Sequence, residues 1–155
     1  MRVRIVVADQ GEARFYDSVG VEAVLRPAGH LSDPKARLHD RDFKSDRPGR
    51  VFDHAPAAGA RHGAVAHHAT GGERRPHKHE AELFARRIAD TLTAASAGGF
   101  DRLVLIAGPS FLGMLRAALP KAVHDRVVGE VPKDLVHKQD ETALRAHLTR
   151  EMFET

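Results

Sequence analysis

Two short apolar runs constrain this chain most: Ile5-Val6-Val7-Ala8 near its start and Leu103-Val104-Leu105-Ile106-Ala107 much later. Neither alternates apolar with polar residues. A strand that is apolar at consecutive positions suits burial on both faces, which requires a sheet with helices packed against it. The length of 155 residues allows one domain of that kind and is too short for two ordinary ones. Both runs are far shorter than the ~20 residues that span a bilayer, so no membrane segment is expected. Met1-Arg2-Val3-Arg4 leads straight into the first run without an apolar leader, and a cytoplasmic location is the expectation. The absence of cysteine excludes disulfides, a thiol nucleophile and Cys-based metal centres.

The remaining elements follow from local pattern. Val3 to Ala8 reads as a strand, Asp9-Gln10-Gly11 as a turn, and Ala13 to Asp17 as the returning strand. Val21 to Leu25 reads as a third strand. Leu83, Phe84, Ile88, Leu92 and Ala95 share one face of a helix that stops at Gly98-Gly99. Phe100 to Ala107 follows as a strand. Ser110 is placed to cap a helix carrying Leu112, Leu115 and Leu119, which ends near Pro120. Arg126 to Val131 is a short strand, and Asp140 or Thr142 opens a last helix with Leu144, Leu148 and Met152. The order βββ-αβαβα predicts a single α/β domain, residues 1–155, with a five-stranded mixed sheet and helices on its faces.

Between these patterns, residues 27–76 read as a long loop rich in Gly, Pro, His and Arg, with Val51-Phe52 as its apolar anchor. A structureless segment of this length inside a domain points to function or disorder. Six of the eleven histidines (His54, His62, His67, His68, His77 and His79) crowd into the middle stretch 54–79. Arg47 and Arg50 flank Pro48-Gly49, a turn signal, and two guanidinium groups there can clamp a phosphate or pair with Asp46. Arg74 and Arg75 beside Gly71-Gly72 can contact phosphate or solubilise the loop. His77 and His79 could share a metal if the backbone there is extended; on a helix, spacing two separates them. Asp9 is either a turn former before Gly11 or a metal-binding carboxylate, and the end of the Leu103–Ala107 strand supplies no second acid for the latter. No nucleotide-binding fingerprint or Gly-x-Ser-x-Gly elbow occurs, and no cofactor is expected.

Ser45-Asp46-Arg47-Pro48-Gly49-Arg50-Val51-Phe52 resembles the signature of the bacterial host-attachment protein family. Asp9-Gln10-Gly11-Glu12-Ala13, Phe84-Ala85-Arg86 and Leu103 to Phe111 resemble motifs of the middle domain of archaeal and eukaryotic peptide release factors. The element order is also similar to that of ribonuclease-H-like folds. The release factors carry Gly-Gly-Gln before their long helix, where the glutamine helps place the water that attacks peptidyl-tRNA. Here Gly71-Gly72-Glu73 stands in that position, with a carboxylate in place of the amide.

These resemblances imply a noncatalytic module that docks on the ribosome or tRNA through Arg47, Arg50, Gly71, Gly72, Arg74 and Arg75. The alternative is an ester hydrolase in which Glu73 positions water. A third reading is a protein-interaction factor in attachment, and a homo-oligomer is compatible with all three.

Overall fold

The computed structural model describes residues 1–35, 63–137 and 140–154, with side chains described from residue 78 onward in the helix that begins at Gly63. Five strands form one sheet: β1 (Val3–Ala8), β2 (Glu12–Ser18), β3 (Arg26–Ser32), β4 (Arg102–Ala107) and β5 (Val127–Val131), in the order β3-β2-β1-β4-β5. β1 pairs antiparallel with β2, as does β2 with β3, whereas β1, β4 and β5 run parallel. The helices are α1 (Gly63–Ala95), α2 (Pro109–Ala118), α3 (Lys121–His124) and α4 (Glu141–Arg145), followed by a 3-10 turn at Arg150–Met152. This is the expected mixed-sheet α/β domain.

The two apolar runs become neighbouring central strands, in register from Val3 opposite Arg102 to Ala8 opposite Ala107. Their side chains alternate between two cores. Val6, Ala8, Leu103, Leu105 and Ala107 face α1 and α2, where Phe84, Ile88, Leu92, Phe111, Leu112 and Leu115 are buried against them. Val3, Ile5, Val7, Val104 and Ile106 face the opposite way, onto Leu135, Val136, Leu144, Leu148 and Met152 from the C-terminal segment. Burial of this apolar area on both faces, at ~25 cal/mol per Å², is the main force holding the layers together. Phe84 and Phe111, with ring centroids 6.2 Å apart, lock α1 to α2.

Several expectations need correction. The third strand is Arg26–Ser32, not Val21 to Leu25. It is an edge strand with no buried position, so its sequence carries no alternating signal, and Pro27 is tolerated there. Val24 is instead exposed, and only Leu25 enters the core. The expected 27–76 loop contains β3 at one end and the start of α1 at the other. Gly71, Gly72 and Pro76 lie within α1, although each is a helix breaker. The half of α1 anchored by Ala81, Phe84, Ala85, Ile88 and Leu92 supplies the nucleus, and extending a helix from a nucleus is far easier than starting one. Ser110 does not cap α2. Gly108 is the N-cap, without a side-chain acceptor, and Pro109 occupies the first turn. Asp140 does cap α4, its carboxylate accepting from the Thr142 N–H at 3.0 Å. That helix ends at Arg145 and the chain turns, yet Leu148 and Met152 still reach the same core.

Candidate functional site

At the carboxyl ends of β1 and β4 lies a cleft of about 440 Å³. Crevices outside the carboxyl ends of parallel strands are where α/β sheets bind ligands. Three pieces of chain form its walls: the β1–β2 turn (Asp9 to Glu12), the start of α2 (Gly108 to Phe111), and Asp134 with His137 after β5.

The turn is built by Asp9. Its Oδ1 accepts from the backbone N–H groups of Gly11 (2.9 Å) and Glu12 (2.8 Å), and its own N–H donates to the Glu12 carbonyl at 2.8 Å. This is the turn-forming role that Asp-x-Gly suggests. The second oxygen, Oδ2, lies 3.5 Å from His137 Nε2. Glu12 is buried, and its Oε1 accepts from Arg14 Nε and Nη2 and lies 2.9 Å from His30 Nε2. The hydrogen bond to Glu12 raises the Arg14 guanidinium above its ordinary value, with burial opposing it.

Asp9, Glu12, Asp134 and His137 are the titratable groups that line the cleft, and none of the lining residues is Lys or Arg. Such a cleft disfavours phosphate. Among the described residues, no group of three or more His, Asp or Glu is placed to hold a metal ion. The sequence signal for this site was the Asp-Gln-Gly-Glu turn and the Gly-Pro-Ser start of α2. Nothing in local pattern shows that Asp134 and His137 join them.

The residues singled out from the sequence lie elsewhere. Arg47 and Arg50 fall outside the described residues. Gly71, Gly72, Glu73, Arg74 and Arg75 lie in α1, where backbone N–H groups serve the helix ladder. Backbone access of the kind a glycine loop offers would need α1 to open there. His77 and His79 also occupy helical positions, so the extended spacing that would pair them on one metal does not apply.

The described part of α1 carries cations and carboxylates in equal number, with Asp90 exposed and Glu80 and Glu82 half-buried. Lys78, His79, Arg86 and Arg87 are exposed. Arg87 is held, with Nη1 donating to the Ser32 carbonyl at 3.1 Å and its guanidinium over the Phe84 ring at 5.5 Å. Among the described residues no helix is long and apolar enough to cross a membrane.

A family model described as "Protein required for attachment to host cells" matches residues 4–148. No curated protein matches the chain.

Proposed function

The chain belongs to the family of proteins required for attachment to host cells, and from that premise we propose that it works as a noncatalytic RNA-associated binding module, with the ribosome or tRNA as target. One observation carries the reading, the segregation of charge along the chain. Residues 35–87 hold half of its 24 Lys and Arg but only a third of its 21 Asp and Glu. That stretch contains Arg47, Arg50, Arg74 and Arg75 and leads into the α1 surface where Lys78, His79 and Arg86 are exposed. Lysine and arginine on phosphate release counterions, which favours binding without reading sequence. Phe15, Phe84, Phe100 and Phe111 are buried, so the aromatic platform that stacks bases is not built from them.

The test is co-sedimentation with 70S ribosomes, and tRNA binding, across a salt series. Binding is expected to fall steeply with salt and to weaken in the Arg47→Ala/Arg50→Ala variant. Absence of binding at every salt concentration refutes the proposal. The family's description favours a second reading in that case, a protein-interaction role in attachment, which predicts that the chain stays in the ribosome-free fraction.

A further inference from the structure

On the outer side of the helical layer, α1 and α2 enclose a groove of about 350 Å³ lined by Glu82, Arg86, Gly113, Met114, Ala117 and Ala118. Its α2 wall is low because Gly113, Ala117 and Ala118 have little or no side chain. A Cβ built at Gly113 would meet nothing within 4 Å, so the groove is open at that point. Arg86 is distinctive. The arginines whose side chains are described are nearly all committed to a partner: Arg4 to Asp17, Arg14 to Glu12, Arg116 to Glu130, Arg126 to two carbonyls, Arg145 to Glu141. Among the arginines whose side chains are described, only Arg26 and Arg86 make no side-chain hydrogen bond or ion pair. Arg26 lies on the edge strand β3, whereas Arg86 lines a groove.

Lys78, Glu82 and Arg86 follow one another at spacing four, and His79 lies beside Lys78, so they form one stripe along α1 about 12 Å long at 1.5 Å per residue. The stripe enters the groove at its Arg86 end. It carries two permanent positive charges, one imidazole and one carboxylate.

We infer that this α1–α2 groove seats the phosphodiester backbone of an RNA strand, with Arg86 as its anchoring cation and the small residues of α2 allowing close approach. The inference rests on the RNA-binding reading above and names where on the described surface the strand lies. An unpaired, planar guanidinium is suited to bidentate contact with phosphate. None of the groove residues is aromatic, so contact is with the backbone and is tolerant of sequence. Glu82 faces the same groove and opposes the phosphate, which makes it a built-in attenuator of affinity.

The test measures the affinity of labelled oligouridylate for the full chain across a salt series, for wild type, Arg86→Ala, Glu82→Gln and Arg26→Ala. Arg86→Ala is expected to weaken binding and to lower the slope of log K against log salt by about one. Glu82→Gln is expected to tighten binding several-fold, a gain that damage to folding cannot produce. Arg26→Ala, the other uncommitted arginine, is expected to bind as wild type does. If wild type binds but Arg86→Ala keeps its affinity and slope, or Glu82→Gln fails to tighten binding, the groove is not the site while the RNA reading stands. If Arg26→Ala loses as much as Arg86→Ala, the effect is one of net charge and the groove assignment fails. If wild type does not bind at any salt concentration, both readings fall.

Discussion

Replacing Asp9 separates a structural carboxylate from a chemical one. Asp9 Oδ1 takes two backbone N–H groups at 2.9 and 2.8 Å, and the turn it closes also receives β3, because the Asp33 N–H donates to the Gly11 carbonyl at 2.9 Å. Hydrogen bonds to a charged acceptor contribute about 1.5–3 kcal/mol each when shielded from water. The Asp9 side chain keeps 24% of its exposure, so water replaces part of what Asp9→Ala removes. The expected loss for the pair is about 2 kcal/mol, a fall in Tm of roughly 4–8 °C for a domain of this size. Asp9→Asn retains an acceptor oxygen for both N–H groups. It loses the charge facing His137, which is 78% exposed and 3.5 Å away, and such a pair is worth about 0–1 kcal/mol. Urea unfolding with an unchanged m-value is the assay. Asp9→Ala should cost about twice as much as Asp9→Asn, or more. Equal losses in the two variants, or a loss below about 0.5 kcal/mol in Asp9→Ala, would refute the assignment of Asp9 to the turn.

Three further outcomes follow from packing and charge. Gly113→Ala should stabilise the protein by about 0.5–1 kcal/mol in thermal unfolding, because α2 gains helix propensity and the new methyl meets open space. Gly129→Ala should destabilise by at most about 1 kcal/mol, because its Cβ would lie 2.5 Å from Met152 Cε and the flexible end of that side chain must shift; in a double-mutant cycle Met152→Ala should recover part of that loss, and strict additivity would show that the two do not touch. Glu130 and Glu141 are held below the usual carboxylate range, Glu130 by its hydrogen bonds from Arg116, Glu141 first by the Leu25 N–H and then by Arg145. A lowered carboxylate adds stability above its unfolded pKa, and that stability disappears as pH falls through the folded value. Acid unfolding of the Glu130→Gln/Glu141→Gln variant should therefore depend less on pH below about 4.3 than wild type.

Local apolar pattern carries the frame of the fold. Two short, Val- and Ile-rich runs with no polar interruption favour central strands by length and β-branching, and the spacing of Phe84, Ile88 and Leu92 suits a buried helical face. Burial leaves its mark in local pattern because each core position must be apolar. The same physics explains what could not be read. β3 has no fully buried position and only Leu31 packs partly against the core, so Arg26 to Ser32 carries no alternating pattern, and the valines upstream imitated a strand. The first part of α1 contains Gly71, Gly72 and Pro76 and read as loop, because propensity is local while helix propagation depends on an anchor further along the chain.

The cleft and the groove were decided only by tertiary structure. Asp9 meets His137 because β1 lies beside β4 and the chain after β5 crosses the open end of the sheet. Arg86 shares a groove with Gly113 and Ala117 because Phe84 packs against Phe111 and sets α1 against α2. Contacts of this kind join residues far apart in the chain, and no local preference for strand, turn or helix encodes which of them will meet.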